Sequence, residues 1–379
     1  MRTFLTRAAL AGALGLTALA LVMPSAQSAP TQSAVLYVAP AGTNGGADTG
    51  CTDAGHSTVQ SALDAAQVGG TVVVCAGTYK ESVNIRKQLT LSGQPNAVID
   101  ASGAMYGIGI GADHVTVTGM TVKNADAKDS PADGIVTAVL GGTPATPTAT
   151  IGNFATITNN VLTANMGAGI DVNSTSNSLI ANNRSNANGI GINMVNDFGA
   201  PASHNTISGN TANDNAGGCG IVMADHTGTG VFNNAVTGNT ANRNGLGSAT
   251  APDASSGSGI IIAGGPHGGV HNNLVSGNTF IGNGHGGVTL HSHAPGANFN
   301  GNAIVGNLIG TNNTHTDYKD LKTTGIYLGA AAPLSITITN NLVRDNAIGI
   351  FAAGPVTVRG VGAFLHVTSS VVRIPSYAG

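Results

Sequence analysis

The segment ISGNTANDNAGGCGIVMAD, residues 207–225, carries the pattern that decides the fold. Ile207 stands three residues before Asn210, four residues separate Asn210 from Asn215, and Gly220 then opens a short run of alternating apolar residues. The same order recurs in seven successive units, whose paired asparagines are Asn160/Asn165, Asn183/Asn188, Asn210/Asn215, Asn239/Asn244, Asn278/Asn283, Asn307/Asn312 and Asn341/Asn346. The first members of these pairs lie 23, 27, 29, 39, 29 and 34 residues apart, which indicates a constant core unit with loops of variable length.

The residues that follow each glycine have the two-residue period of a β-strand. In six units the first and third positions are all apolar: Ile170/Val172, Ile192/Met194, Ile221/Met223, Ile260/Ile262, Val288/Leu290 and Ile326/Leu328. Alternate side chains of a strand point to opposite faces, so these residues are predicted to face inward. Repeats of this length with short strands and turn residues are typical of a solenoid. We therefore predict an all-β protein, a single-stranded right-handed parallel β-helix with asparagine ladders at its corners.

Three segments are predicted along the chain. Residues 1–29 have a basic start, an apolar stretch and small residues near Ala29, which is typical of a cleaved secretory signal peptide. This pattern predicts a secreted, extracellular protein with no membrane span in its mature form. Residues 30–95 are predicted to form an N-terminal cap and the first coils, with a capping box from Ser57 to Gln60 and a short capping helix that ends near Gln67. Residues 96–379 are predicted to continue as the β-helix repeat domain.

Composition narrows the possible functions. A formal net charge of −3, with only 14 scattered lysines and arginines, excludes the basic surface that nucleic-acid binding needs. In an exported chain, Cys51 and Cys75 are predicted to form a disulfide. Cys219 is predicted to be a buried, unpaired small apolar residue. We expect a monomer.

The segment GGTVVVCAGTYKESVNI, residues 69–85, and the asparagine-rich coils after it resemble the secreted right-handed parallel β-helix proteins. This pectate lyase-like group includes mannuronan epimerases and NosD-like periplasmic proteins, and the resemblance extends over about Ala34 to Phe351. This resemblance implies the fold. It also implies an extracellular polysaccharide as partner, whether the protein is a lyase, an epimerase, a hydrolase or a non-catalytic member of the group. The triplet at residues 284–286 matches the Gly-His-Gly motif of polygalacturonases. The chain has no Asp-Asp pair and no Asp-Pro-His-Asp signature, so no catalytic residue is transferred from these families.

Alignment of the repeats predicts a polar patch on one outward face. Asp197 is expected beside His226 on neighbouring coils, and His293 two coils beyond His226. The candidate catalytic residues are His226, Asp197, Asp225, His291 and His293. The candidate substrate-binding residues are His267, His271, Arg243, Lys319 and Tyr318.

The chemistry that this patch suggests is proton abstraction from a uronate unit. A uronate lyase or C5-epimerase needs a base and groups that neutralise the substrate carboxylate. Histidine is a base near neutral pH, and Asp197 would orient the ring of His226. Arg243 and Lys319 are candidate partners of the substrate carboxylate. We favour these reactions over glycoside hydrolysis, which usually needs two suitably spaced carboxylates, because Asp197 and Asp225 are the only obvious pair.

Two alternatives stay open. No cofactor is expected, but Asp197, His226, His291 and His293 also offer ligands for a divalent metal such as zinc, copper or nickel. In the other alternative the segment ADHTGTG, residues 224–230, is a plain turn whose backbone amides are bound by Asp225. The sequence is therefore compatible with an enzyme that acts on an extracellular polysaccharide. The alternative is a non-catalytic β-helix that binds a glycan, a cell surface or a metal.

Overall fold

The computed structural model describes residues 35–40, 47–128, 131–143, 146–247, 257–265, 267–292, 296–314, 322–360 and 362–377. The predicted signal peptide lies outside the described residues, and so do His293, Tyr318 and Lys319.

Short strands make up nearly all of the regular structure. The first part of the chain contains β1 (Val35–Val38), α1 (Val59–Ala65), β2 (Thr71–Val74), β3 (Gly77–Tyr79), β4 (Val83–Ile85), β5 (Thr90–Gly93), β6 (Ala97–Asp100), β7 (Tyr106–Ile110), β8 (Thr116–Thr118), β9 (Thr121–Lys123), β10 (Asp133–Val136), β11 (Ala138–Thr143) and β12 (Thr146–Ile151). The middle part contains β13 (Thr156–Thr158), β14 (Val161–Thr163), β15 (Ala168–Asn173), β16 (Leu179–Ala181), β17 (Arg184–Ser185), β18 (Ile190–Val195), β19 (Ala202–Ser203), β20 (Thr206–Ser208), β21 (Ile221–Asp225), β22 (Val231–Phe232), β23 (Ala235–Thr237) and β24 (Ile260–Gly264). The last part contains β25 (Val270–His271), β26 (Leu274–Ser276), β27 (Thr279–Phe280), β28 (Val288–Ser292), β29 (Ala303–Val305), β30 (Leu308–Ile309), β31 (Thr324–Gly329), β32 (Leu334–Thr339), β33 (Leu342–Arg344), β34 (Ile348–Ala353), β35 (Val356–Arg359), β36 (Ala363–Leu365) and β37 (Ser369–Ile374).

These strands stack into long parallel sheets that run along a solenoid. One sheet has twelve strands in the order β1-β2-β5-β8-β13-β16-β20-β23-β26-β29-β32-β35. A second has eleven strands in the order β37-β34-β31-β28-β24-β21-β18-β15-β10-β7-β4, and shorter sheets of five, four and three strands complete the coils. Each strand pairs with the equivalent strand of the next coil, and crossovers of this kind are right-handed. The predicted right-handed parallel β-helix is therefore confirmed, with an antiparallel hairpin of β11 and β12 projecting from one coil.

The core is the stack of inward side chains. All twelve residues predicted to face inward have no exposed surface, and they pair in register from coil to coil, as in Ile170, Ile192, Ile221 and Ile260. Burial of one such side chain stabilises the fold by about 1.5–3 kcal/mol. The two-residue period thus correctly predicted which side of these strands forms the core.

Buried asparagine ladders join the coils. The main-chain N–H and the side-chain Nδ2 of Asn210 both donate to Asn239 Oδ1, at 2.9 and 3.0 Å, and Asn239 repeats this contact with Asn278 at 2.8 and 3.0 Å. Asn239 Nδ2 also donates to the carbonyl of Ile207 at 2.9 Å. A third ladder, which the sequence analysis missed, contains Asn205, Asn234, Asn273 and Asn302. Each step supplies partners to polar groups that no water reaches.

The N-terminal cap contains α1, the one helix among the described residues. Its N-cap is Thr58, whose hydroxyl accepts the Ser61 N–H at 3.2 Å, and not Ser57 as predicted. The physical reason is Glu81, because its carboxylate accepts the N–H groups of Val59 and Gln60 at 2.8 and 3.1 Å. No helix of the described chain is long and apolar enough to cross a membrane.

The structure agrees with the predictions for the three cysteines. Cys51 and Cys75 form a disulfide beside the cap, with Cα atoms 5.6 Å apart. Cys219 is a free, buried cysteine, and burial raises the pKa of its thiol to about 11. A thiol of this kind is inert as a nucleophile at neutral pH.

Candidate functional site

Asp225, the last residue of β21, is fully buried and holds two turns. Its Oδ1 accepts from Asn196 Nδ2 at 2.6 Å and from the Gly228 N–H at 2.8 Å, and its Oδ2 accepts from the Gly269 N–H of the next coil. A side chain at Gly268 would overlap Asp225 Oδ2, so a glycine is required there. These contacts match the structural alternative for Asp225, since its carboxylate binds backbone amides and faces away from solvent.

His226, the next residue, points outward. Its Nδ1 lies 2.6 Å from Asp197 Oδ1, and the side chains of the two residues are 55% and 42% exposed. The contact joins successive coils, in the arrangement that the repeat alignment predicted. Asn196 positions the pair, because its Oδ1 accepts the His226 N–H at 2.8 Å while its Nδ2 binds Asp225.

The Asp197–His226 contact favours the charged form of both residues. The hydrogen bond from His226 is the largest influence on Asp197, and it lowers the pKa of this carboxyl below its usual value. The same hydrogen bond raises the pKa of His226. The contact therefore favours the pair of a carboxylate and an imidazolium over the neutral forms of the two groups. Because both side chains are about half exposed, solvent screens most of its energy.

A second carboxylate, which the sequence analysis missed, lies beside this ion pair. Asp171 stands between the inward residues Ile170 and Val172 of β15 and is only 4% exposed. Its Oδ1 accepts from Asn193 Nδ2 at 2.9 Å, and its Oδ2 accepts from Asn173 Nδ2 at 3.1 Å. Burial raises the pKa of Asp171 to about 7, although the two amide donors act in the opposite direction.

One amide group connects Asp171 with Asp197. Asn173 Nδ2, which binds Asp171, also donates to Asp197 Oδ2 at 3.3 Å. The two carboxyl oxygens therefore lie no further apart than the combined length of two hydrogen bonds. Asn173 is held in turn by its own N–H, which donates to Thr137 Oγ1 at 2.8 Å.

A third acidic residue lies on β10, the strand that pairs with the strand of Asp171. Asp133 begins β10, is 4% exposed and accepts the Ala168 N–H at 2.7 Å. Burial raises the pKa of Asp133 well above its usual value, and the nearby charge of Asp171 acts in the same direction. We call Asp133, Asp171, Asp197 and His226 the acid cluster.

The surroundings of Asp171 and Asp197 shift the pKa values of the two carboxyl groups in opposite directions. At a pH slightly below neutral, Asp197 is ionised while Asp171 keeps its proton. Two neighbouring carboxyl groups with separated pKa values can serve as a general acid and a base or nucleophile. The signal for Asp171 was present in the repeat alignment, because an acid between two inward residues must face outward.

An apolar wall borders the cluster on the side of the β11–β12 hairpin. It consists of side chains that pack on one another: Tyr106, Val136, Ala138, Leu140, Ala149 and Phe198. Phe198 follows Asp197 in sequence, and its N–H donates to Ser174 Oγ at 2.9 Å. Val136 of the wall is the strand neighbour of Asp171, so an apolar side chain lies beside this carboxyl group.

The structure does not bring every predicted site residue to the acid cluster. Arg243 forms a bidentate ion pair with Asp214, with both N–O distances at 2.7 Å, in the corner that precedes β24. His226 follows β21, so the two residues lie at opposite ends of the strands of this sheet. Arg243 therefore has a partner of its own and is not positioned beside Asp197.

The remaining predicted histidines are spread over several places. His271 stacks on Phe232 with ring centroids 5.2 Å apart, and burial lowers its pKa. His267 is exposed in the turn after β24, and His291 is partly exposed on β28. His285 is buried, with Nδ1 3.3 Å from Ser258 Oγ and 3.2 Å from the Thr289 hydroxyl.

The alternative prediction for the polar patch was a divalent metal site. Among the residues that the structure describes, no group of three or more histidine, cysteine, aspartate or glutamate side chains could hold a metal ion.

Comparison with solved structures places the fold among polysaccharide-active and other β-helix proteins. The A-module of mannuronan C-5 epimerase AlgE4 from Azotobacter vinelandii is 17% identical, with a TM-score of 0.55 over 85% of this chain and 95% of that module. Pectate lyase Pel9A is 17% identical, with a TM-score of 0.54 over 91% of this chain and 78% of the lyase. The catalytic unit of an α-1,3-glucanase from Streptomyces thermodiastaticus is 16% identical, with a TM-score of 0.51 over 84% of this chain and 66% of the glucanase. At these identities the likeness is one of fold.

The sequence itself also matches a known family. No curated protein matches the chain significantly. The family described as the right handed beta helix region matches residues 99–316, which is more than half of the 379 residues. The chain therefore belongs to the right-handed β-helix family.

Proposed function

We propose that the protein is a glycoside hydrolase that cleaves an extracellular polysaccharide at the acid cluster. The observation that carries this proposal is the pair of carboxyl groups bridged by Asn173, one of which holds its proton to about pH 7 while the other is ionised. Glycoside hydrolysis in most families needs one carboxylic acid and one carboxylate near the scissile bond.

Asp171 is the proposed general acid. It donates its proton to the glycosidic oxygen as the bond to the leaving sugar breaks, and so becomes a carboxylate. Asp197 is the proposed base or nucleophile, which either takes a proton from the attacking water or attacks the anomeric carbon itself. His226 keeps Asp197 ionised, and Asn173 orients both carboxyl groups.

We favour hydrolysis over the uronate lyase or epimerase reaction that was expected from the sequence. The hydrogen bond to Asp197 raises the pKa of His226 and so favours its protonated form, which cannot accept a further proton. A uronate also needs cations for its own carboxylate. Among the described residues, His226 is the cation that acts on Asp171 and Asp197, while Arg243 is paired with Asp214.

The solved structures of similar fold support a polysaccharide substrate. The epimerase, the lyase and the glucanase compared above have the same architecture, and each is named for a polysaccharide on which it acts. The pattern of residues 1–29, which lies outside the described structure, supports export, and we infer that the substrate is met outside the cell.

The test is a screen of the purified protein with neutral and uronate-containing polysaccharides. New reducing ends without unsaturated sugars are expected, and Asp171→Asn and Asp197→Asn should each slow their formation by roughly 10²–10⁴-fold. Asp214→Asn is the matched control, because this exposed aspartate is ion-paired with Arg243 and lies outside the cluster. Unsaturated products would instead establish elimination, and full activity of Asp171→Asn would remove the proposed acid.

A further inference from the structure

The outward face of the eleven-stranded sheet changes from polar to apolar immediately after the acid cluster. In the column of paired residues that contains Asp171, β18 contributes Asn193, β21 contributes Val222 and β24 contributes Ile261. Val222 and Ile261 are both partly exposed. We call these two residues the apolar strip.

The adjacent outward column supports the apolar strip. Val195, Ala224 and Ala263 occupy successive coils there and are 0%, 4% and 7% exposed. Val222 and Ile261 pack against these three buried side chains. The strip is therefore an ordered surface with a firm base, rather than two isolated apolar residues.

The position of the strip relates it to the acid cluster. Neighbouring parallel strands lie about 4.8 Å apart, so Val222 is about 10 Å from Asp171 along the solenoid axis. Ile261 lies one strand further in the same direction. A chain molecule cleaved at the acid cluster and extended along the axis would place its next sugar units on these two side chains.

We infer that the apolar strip binds the sugar units next to the scissile bond, and that the substrate is an uncharged polysaccharide lying along the solenoid axis. This inference rests on the proposed function. The faces of a neutral pyranose ring carry C–H groups that pack on valine and isoleucine, while its hydroxyl groups remain free for polar neighbours such as Asn193.

The charges of the acid cluster and the strip oppose the binding of a uronate polymer at the same position. The acid cluster contains three carboxyl groups and one imidazole, and the strip adds no charge. A uronate chain would place its own carboxylates beside Asp197 and then on apolar side chains. His226 is already paired with Asp197, so a uronate carboxylate finds no cation there, and the desolvation of an unpaired carboxylate opposes such binding.

The experiment measures binding separately from cleavage. Asp171→Asn, which cleaves only very slowly if the proposed function is right, is titrated with oligosaccharides of neutral α- and β-glucans and with polygalacturonate and alginate oligosaccharides. The side-chain changes Val222→Thr and Ile261→Thr are then added singly. Threonine keeps the branched shape that a strand favours but places a hydroxyl on the strip. Leu274→Thr is the matched control, because Leu274 is 39% exposed on β26 in the twelve-stranded sheet.

A neutral glucan should bind, and each strip variant should weaken its binding about threefold to tenfold, whereas Leu274→Thr should leave the Kd unchanged. Equal Kd values for all three variants, preferential binding of the charged oligosaccharides, or binding of none of them would each overturn the inference. If neutral glucan binds in a strip-dependent way but is never cleaved by the wild-type protein, the proposed hydrolysis is wrong and the binding surface stands.

Discussion

The carboxylate of Asp197 and the imidazole of His226 meet at 2.6 Å across two successive coils. Each residue lies just beyond the end of a parallel strand, so the solenoid repeat alone brings two distant sequence positions, 29 residues apart, into contact. The contact sets the charge of both groups, and several of the expectations below depend on it.

Replacement of His226 by glutamine should shift the acidic limb of the activity profile. Glutamine keeps a hydrogen-bond donor near Asp197 but removes the positive charge, so the pKa of Asp197 rises towards its usual value. Because the proposed mechanism needs ionised Asp197, activity should fall at a higher pH in the variant than in the wild type. The measurement is kcat/KM as a function of pH.

His366→Gln is the control for this experiment. His366 Nδ1 lies 3.0 Å from Asp345 Oδ1 in a similar exposed pair, far along the chain from the acid cluster. Its replacement should leave the pH profile unchanged. An identical profile for His226→Gln would show that His226 does not act through Asp197.

Asp171 should set the basic limb of the same profile. Burial raises the pKa of Asp171 to about 7, so the proposed general acid loses its proton, and the enzyme its activity, as the pH rises through this value. Asp171→Asn should lower kcat by roughly 10²–10⁴ without a matching change in KM. A basic limb that persists in the residual activity of this variant would assign the limb to another group.

Asp171 should also make folding stability depend on pH. The folded protein keeps the proton of Asp171 to about pH 7, whereas the ordinary pKa is 3.8, so the unfolded chain releases it earlier. The free energy of unfolding should therefore fall as the pH rises between these values, by roughly 4 kcal/mol from this residue. Denaturant titrations of the wild type and Asp171→Asn isolate the effect. A stability difference that is constant with pH would contradict it.

The two sides of β21 should respond differently to truncation. Ile221→Ala, at a fully buried inward position, should lower the free energy of unfolding by about 2–5 kcal/mol because it leaves a cavity. His226→Ala, just beyond the same strand, should cost less than about 1 kcal/mol, since its ion pair is largely solvated. Chemical denaturation measures both values. Comparable losses would mean that His226 is part of the scaffold.

Asn239→Ala should test the ladders. The change removes the acceptor of two donors from Asn210 and the donor to the Ile207 carbonyl, all in a buried corner. Each buried group left without a partner costs about 1–3 kcal/mol, so a loss of about 3–5 kcal/mol is expected. Asn300→Ala is a suitable control, since Asn300 is exposed and has no positive φ. A loss within about 0.5 kcal/mol would mean that water replaces the side chain.

The architecture could be predicted from the sequence because its two determinants are local and periodic. The inward positions of Ile221 and Met223 follow from a two-residue period, and the paired asparagines mark where each coil turns. The third ladder was missed although its spacing is also regular. Each of its members stands five residues before the first asparagine of a pair: Asn205, Asn234, Asn273 and Asn302. The start of α1 was displaced by Glu81, which lies more than 20 residues further along the chain.

The acid cluster could be predicted only in part. Alignment of strand ends correctly placed Asp197 beside His226, because both follow strands of one parallel sheet. Asp225 was grouped with His226 as its sequence neighbour, but alternation at the strand end turns its carboxylate under the turn. Asp171 was missed because only the last outward positions of each strand were compared. The raised pKa values of Asp133 and Asp171 depend on burial, which no spacing in the sequence predicts.

The ladders have a consequence for how such a chain can change length in evolution. Every step uses the same donors and the same acceptor, so Asn210 could bond to Asn278 as well as to Asn239 if the intervening 29 residues, 211–239, were lost. Duplication or deletion of one complete coil therefore creates no new kind of junction. Because the acid cluster draws only on β10 to β21 and the turns beside them, later coils can be gained or lost by recombination while the proposed chemistry is inherited intact.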